Sequence, residues 1–396
     1  MIQISPETQL FIREHSSDDV RTLALQAKKY PDINMPTAIT QIAGRQVAAE
    51  KIPSWREIEE IWYPKHLSLE QCSSEITARY KARLFQGDSL ADLTGGFGID
   101  CSFLATGFKS ATYVERQEEL CEIAAHNFPI LNLNHINVRN EDGVAYLQTM
   151  SPVDCIFLDP ARRNEHGGKT VAISDCEPNV AELEALLLSK ANRVMIKLSP
   201  MLDLSLALKE LKHTQEIHIL SVNNECKELL ILLRQTSPAE IAIHCVNLLT
   251  KGTQEEQHLV FTREQEQRSQ CTYTDSLGNY LYEPNASLLK AGAFRSIAAA
   301  YPVRKLHPNS HLYISDSFIE NFPGRIFRIV NQCSFNKKEV KENLADLKKA
   351  NVTVRNFPAT VAELRKRLHL TEGGDTYLFA STLNNGQKVI IRCEKV

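Results

Sequence analysis

Residues 89–100, Ser89-Leu90-Ala91-Asp92-Leu93-Thr94-Gly95-Gly96-Phe97-Gly98-Ile99-Asp100, decide how this chain folds. An apolar run that reads as a strand ends at Asp92, and glycines follow at 95, 96 and 98 before a helical pattern begins. Glycine reaches positive φ freely and lets a ligand approach the backbone with no Cβ between them. A strand that turns this way into a helix makes a cradle lined by unpaired N–H groups. The spacing G-G-x-G is not the G-x-G-x-x-G of the dinucleotide fingerprint, which sets a nicotinamide oxidoreductase aside. The next strand-type run, ATYVE, closes on Glu115, at the distance where a carboxylate holds a ribose diol.

Outward from this segment, short β-type runs continue: INVR at 136–139, VDCIFLD at 153–159, RVMIKLS at 193–199, EIHILSV at 216–222 and ELLILLR at 228–234. Helical stretches such as Gln117 to Leu131 and Val180 to Leu188 separate the earlier ones. Strands alternating with helices specify a parallel doubly wound sheet, with ligands at the carboxyl ends of the strands. The last two runs are separated only by NNECK, too short for a crossover helix, so they are expected to pair as an antiparallel hairpin. The fold class that follows is α/β: a seven-stranded doubly wound sheet at residues 86–240, preceded by a helical N-terminal extension at 1–85. The extension rests on Val20, Leu23 and Ala27 after the cap candidate Ser17, and on Ile42, Val47 and Ala48 after Pro36. Residues 241–311 connect, with additional strands IAIHCVNLL and HLVFT. Residues 312–396 form a C-terminal α+β ferredoxin-like unit, read from RIFRIV, NKKEVKENLADLKKA, NVTVRNF, TVAELRKRLHL, DTYLFAST and KVIIRCE.

Composition narrows the function classes. With 396 residues, 43% hydrophobic and 23% charged, the chain is neither a disordered segment nor a small disulfide scaffold. No apolar run has the length of a membrane span, and the start lacks the blocks of a signal peptide, so a cytoplasmic location is expected. Ten dispersed cysteines contain no C-x-x-C pair and no histidine placed to complete a zinc site; they are expected to be reduced thiols, and no metal is expected. Residues 303–396 hold 16 Lys and Arg against 9 Asp and Glu, a local excess of +7. That excess fits a polyanion contact or a solvated helix face.

Taken with the strands, these residues resemble the class I S-adenosylmethionine-dependent methyltransferases. The resemblance runs from about Leu69 to Arg234 and implies S-adenosylmethionine as cofactor. It places Asp92, Thr94, Gly95, Gly96 and Gly98 around the cofactor, Glu115 on its ribose, and Asp142 with Gly143 at its adenine. Ser73 and Glu75, in Glu70-Gln71-Cys72-Ser73-Ser74-Glu75-Ile76-Thr77-Ala78, resemble the element by which RNA cap and ribosomal RNA methyltransferases close over the methionine end. Asp159-Pro160-Ala161-Arg162 occupies the family's catalytic position, where the amino-methylating branch has Asn or Asp, Pro, Pro and an aromatic. The match is partial, because alanine cannot stack a base. Arg162 is left as the residue to stack through its guanidinium plane or hold a phosphate, beside the plainer reading of a solvated side chain.

The whole chain is more specifically similar to a bacterial group of such enzymes with a C-terminal THUMP-like domain, through Tyr282-Glu283-Pro284-Asn285 and Lys290-Ala291-Gly292. That similarity implies an RNA partner, ribosomal or transfer RNA, methylated on a base nitrogen. Lys197, at the end of the fifth strand, is either a phosphate contact or a snorkelling lysine. Arg365, Lys366 and Arg367 are expected to contact RNA, unless they form only a solvated face. Cys176 has neither cysteine signature of the covalent pyrimidine branch. The competing readings are a methyltransferase of a protein or small molecule, and an inactive RNA-binding protein; Asp92, Glu115, Asp142 and Asp159, all retained as carboxylates, speak against the latter.

Overall fold

A computed structural model describes residues 4–162, 172–236, 238–252 and 255–396. The chain divides into two compact units, the first Met1–Gln215 with Leu230–Ser237, the second Glu216–Leu229 with Pro238–Val396.

The first unit opens on helices α1 (Pro6–Glu14) and α2 (Met35–Lys51). Ser5 and Asn34 start them, each side chain accepting from the N–H three residues on, and proline occupies the first turn of both. A third helix, α3 (Glu75–Leu84), leads into β1 (Gly87–Asp92). Then follow α4 (Ile99–Leu104), β2 (Phe108–Glu115), α5 (Glu118–Ile130), β3 (Ile136–Asn140), α6 (Gly143–Thr149), β4 (Val153–Leu158), α7 (Val180–Lys190) and β5 (Ala191–Leu198). The strands are parallel in the order β3-β2-β1-β4-β5, with β1 and β4 buried along their carboxyl halves. Registers Asp92↔Tyr113, Asp92↔Phe157, Glu115↔Asn140 and Leu158↔Ile196 align their carboxyl ends along one edge. Residues of the helical N-terminal stretch join this unit's core. Ala48, Ile52, Trp55, Ile61, Tyr63 and Leu69 cluster with Phe97, Ile99 and Phe103 of the glycine segment. Trp55 meets Phe97 edge-on at 5.5 Å between centroids.

Strands β6 (Thr214–Val222) and β7 (Glu225–Leu233) form the expected hairpin. Its turn is only Asn223-Asn224, both at positive φ (48° and 70°), and Glu225-Cys226-Lys227 belongs to the strand. The two additional runs are strands of the same sheet. β8 (Ala242–Leu248) pairs parallel with β6, and β9 (Glu256–Thr262) pairs antiparallel with β8. Two strands are thus added beyond the seven expected, because β6 offers β8 a parallel edge once the chain returns along it.

A second sheet contains β10 (Tyr280–Pro284), β11 (Tyr313–Ser315), β12 (Gly324–Ser334), β13 (Asn351–Arg355), β14 (Thr376–Thr382) and β15 (Lys388–Lys395). Its order is β11-β10-β12-β15-β14-β13, antiparallel apart from β13 with β14. Helices α8 (Lys337–Leu344) and α9 (Val361–Leu368) lay Leu344 and Leu364 into one cluster with Leu378, Ala380 and Ile390. The helix expected over 336–350 stops at Leu344. Beyond it the backbone of 348–350 pairs with Thr371, whose N–H donates to Lys348 O and whose O accepts from Ala350. Among the described residues no helix is long and apolar enough to cross a membrane.

Candidate active site

The parallel register brings Asp92, Glu115, Asp142, Asp159 and Lys197 to the carboxyl edge of one sheet. Backbone hydrogen bonds hold the turn between β1 and α4: Gly95 N–H donates to Val114 O of β2 (2.9 Å) and Gly98 N–H to Gly95 O (2.8 Å). Gly96 (φ +53°) and Gly98 (φ +84°) stand in the left-handed region that favours glycine. At Gly95 a Cβ would lie 2.2 Å from the Tyr113 ring, whereas at Gly96 it would meet nothing nearer than 3.9 Å. The first glycine is required by packing, and the second faces open space. The Tyr113 hydroxyl donates to Gly96 O and fixes the turn from behind.

Glu115, 9% exposed, accepts at Oε2 from Gly96 N–H and at Oε1 from Gln117 N–H, both at 2.9 Å. Each oxygen keeps a second acceptor site, as a ribose diol requires. Asp142 caps α6, its Oδ1 accepting from Val144 and Ala145 at 3.0 Å. Gly143 lies so close to the glycine segment that a Cβ there would sit 2.1 Å from Leu93 O. The Thr94 hydroxyl accepts the Asp159 N–H at 2.6 Å, tying the end of β4 to the same loop. Asp92 is 1% exposed; Oδ1 accepts from Thr94 N–H at 3.0 Å, and Oδ2 has no hydrogen-bond partner among the described residues. Burial pushes its carboxyl up to about 8, so it is protonated at neutral pH.

Beneath these residues is a buried charge cluster that sequence reasoning missed in part. Lys81, fully buried on α3, is 3.0 Å from Asp100 Oδ1 on α4 and donates to Ser73 Oγ at 2.9 Å. Lys197 donates to Asp100 Oδ2 (2.9 Å) and Ser73 Oγ (3.0 Å), and pairs with Asp159 Oδ2 at 2.6 Å. Ser73 itself donates to Asp100 at 2.7 Å. Burial would raise Asp100, but Lys197 and Lys81 outweigh it and hold the carboxyl well below its usual range. Burial also raises Asp159, and Lys197 pulls against it. Among the described residues, with Asp92 protonated, Lys81 and Lys197 face Asp100 and Asp159. Lys197 directs its ammonium at internal carboxylates, not outward, and Asp159 is the member that opens to solvent, 38% exposed.

The remaining sequence candidates stand elsewhere. Glu75 accepts from Ser54 N–H (2.8 Å) and Arg79 (2.7 Å), securing the short helix that carries Trp55. Pro160 follows Asp159 directly and is buried. Arg162 pairs its backbone with Cys176, which is 2% exposed; the Arg162 side chain lies outside the described residues. On α9, in the second unit, Arg365 pairs with Glu372 at 2.9 Å, Arg367 stacks on Phe335 at 4.1 Å, and Lys366 is exposed.

Comparison with known proteins completes this picture. Residues 280–323 match the model of a ferredoxin-like domain, and 324–395 that of a THUMP domain-like family. The comparison with curated proteins gave no match. Among solved structures, the chain is similar to a proposed methyltransferase from Porphyromonas gingivalis W83, with 34% identity over 100% of both chains and a TM-score of 0.87. An rRNA methylase from Streptococcus thermophilus is 14% identical over 40% of this chain and 93% of its own, with a TM-score of 0.29. A proposed methyltransferase from Streptococcus mutans in complex with SAH is 12% identical over 40% and 96%, with a TM-score of 0.30. By its full-length identity to the Porphyromonas protein and its THUMP-like segment, this chain belongs to the S-adenosylmethionine-dependent methyltransferases that carry a C-terminal THUMP-like domain.

Proposed function

We propose that the protein methylates a nitrogen of a base in ribosomal or transfer RNA. The observation that carries the reading is Asp159. It is a carboxylate anchored at its backbone by Thr94 and at its side chain by Lys197, yet open to solvent beside the glycine cradle. The cradle fits the cofactor, since Gly96 opens onto free space, Glu115 retains acceptor capacity, and Asp92 Oδ2 is a buried polar atom without a hydrogen-bond partner among the described residues. In this reading Asp92, Thr94, Gly95, Gly96, Gly98, Glu115, Asp142 and Gly143 hold S-adenosylmethionine, with Ser73 supporting the site from the charge cluster.

S-adenosylmethionine supplies an electrophilic methyl on a sulfonium, whose thioether leaves without protonation. The chain's own work is alignment and proton handling. Asp159 and the Pro160 carbonyl accept the two hydrogens of an amine, which aims its lone pair along the line of displacement. Methylation would leave a positive charge on that nitrogen. One N–H proton then leaves to the Asp159 carboxylate. Lys197 is a positioning residue, pairing with Asp159 and opposing the rise that burial gives its carboxyl. An RNA acceptor is favoured by the THUMP-like segment at 324–395 and by the +7 excess of residues 303–396. A methyltransferase of proteins or small molecules has no evident use for either.

The test is methyl transfer from labelled S-adenosylmethionine to RNA from a strain lacking the gene. Asp159→Ala is expected to lower the transfer rate by orders of magnitude while cofactor affinity stays within a few fold. Glu115→Ala is expected to weaken the cofactor by about 1.5–3 kcal/mol for each charge-assisted hydrogen bond removed. Equal losses of affinity and rate in Asp159→Ala would return Asp159 to a purely structural role.

A further inference from the structure

In the second unit, three side chains on neighbouring strands converge on one point. Glu216 and His218 are two residues apart on β6, so they share a face of the sheet. His244 on β8 is the register partner of His218 across the parallel pair. The imidazoles stack at 4.2 Å between centroids and 13° between planes. One ligand atom from each of Glu216, His218 and His244 lies within 4.8 Å of the others. We propose that these three residues bind a divalent transition metal ion of the zinc class.

The separations suit such an ion. Ligand atoms about 2.0–2.1 Å from a tetrahedral centre lie about 3.3 Å from one another. His218 Nε2 is 3.3 Å from Glu216 Oε2, and His244 Nε2 is 3.9 Å from the same oxygen, a difference within reach of small side-chain rotations. Two imidazoles and one carboxylate select zinc, cobalt, nickel or copper over magnesium or calcium, which require oxygen donors.

The surroundings orient the ligands as metal sites do. His244 Nδ1 faces His258 Nε2 on β9 at 3.2 Å, and His258 Nδ1 is 3.9 Å from Glu256 Oε1. With His244 Nδ1–H donating to His258, its Nε2 lone pair is left to face Glu216 and His218. An outer imidazole backed by a carboxylate fixes the tautomer of a metal ligand in this way. His218 is 2% exposed, whereas Glu216 and His244 have side chains 33% and 20% exposed, so solvent reaches the cluster from the side of these two. Three protein ligands with one open position can fasten β6 to β8 and still exchange a solvent ligand. The site is independent of the methyl-transfer reading and stands if that reading fails.

The test uses the full-length protein without a histidine tag, stripped with EDTA and titrated with Zn²⁺ against a chromophoric chelator. The site predicts about one equivalent bound per chain and, with Co²⁺, visible d–d bands of a low-coordinate centre. Glu216→Gln and His244→Gln are expected to abolish the chelator competition. His258→Ala, at an exposed position, is expected to weaken binding by about 10- to 100-fold. Should His244→Gln fail to fold, the His258→Ala measurement decides. Failure to compete with the chelator, or unchanged affinity in folded Glu216→Gln and His258→Ala, overturns the proposal.

Discussion

Replacing Lys81 by Met removes the fully buried cation of the charge cluster at nearly constant volume. Lys81 is 3.0 Å from Asp100 Oδ1 and 2.9 Å from Ser73 Oγ, and has no exposed surface. Without it, among the described residues, Lys197 alone faces both Asp100 and Asp159, and Asp100 keeps one of its two lysines. Breaking a buried pair from one side costs about 3–5 kcal/mol. Proton uptake limits the loss. Asp159 already lies above its usual range because of burial, so lowering the pH should neutralise it first and narrow the deficit. The expected outcome is therefore a loss of about 3–5 kcal/mol near pH 7 and a smaller one near pH 5.5. Adding Asp100→Asn restores the balance of one lysine against one carboxylate, so the double variant should regain about 2–3 kcal/mol. The assay is urea unfolding followed by tryptophan fluorescence. Both tryptophans of the chain, Trp55 against Phe97 and Trp62 stacked on His126, lie in the first unit, so the signal reports that unit alone. A loss below about 1 kcal/mol at pH 7, or simple additivity in the double variant, would refute the charge-pairing argument.

Asp92, held protonated up to about 8, makes a second stability prediction. Between its ordinary range and pH 8 the folded state keeps a proton that the unfolded state has given up, so this group's contribution falls as pH rises. Relative to Asp92→Asn, wild type should lose about 1.4 kcal/mol per pH unit across that window by urea unfolding, and a pH-independent difference would contradict the assignment. Gly143→Ala places a methyl group 2.1 Å from Leu93 O, so calorimetry should find cofactor affinity reduced at least about tenfold; wild-type affinity would show that the two loops can part freely. In the second unit, Ala at 365–367 removes two charges already engaged, by Glu372 and by the Phe335 ring, and the exposed Lys366. If these residues touch phosphates, the log–log salt slope of RNA affinity should flatten by about 0.7 for each phosphate no longer neutralised, and an unchanged slope would place the RNA elsewhere.

Much of the site lies open in the sequence because its parts are local. The glycine turn, the acids ending β2 and β4, and the hairpin after β5 each follow from a short run of residues and its spacing. What resists is what tertiary contact creates. Lys81 sits in Ile76-Thr77-Ala78-Arg79-Tyr80-Lys81-Ala82-Arg83, where alternating cations read as a solvated helix face, yet α4 covers it and supplies Asp100. Lys197 ends a strand at the ligand edge, where an outward-pointing ammonium is the natural reading, but the partners that turn it inward come from α4 and the segment before α3. His218 and His244 are 26 residues apart, and only the parallel register of β6 with β8 makes them neighbours. For the same reason a sequence search for zinc spacing passes over them. The two extra strands are readable as strands, while their place beside β6 depends on a pairing that no local pattern encodes.

The most direct test of the central claim compares modified nucleosides in total RNA from a strain lacking this gene and from its parent, digested and read by mass spectrometry. The account predicts that one N-methylated nucleoside disappears from ribosomal or transfer RNA, that the wild-type gene restores it, and that the Asp159→Ala gene does not. Identical nucleoside profiles in the two strains, or restoration by Asp159→Ala, would contradict it.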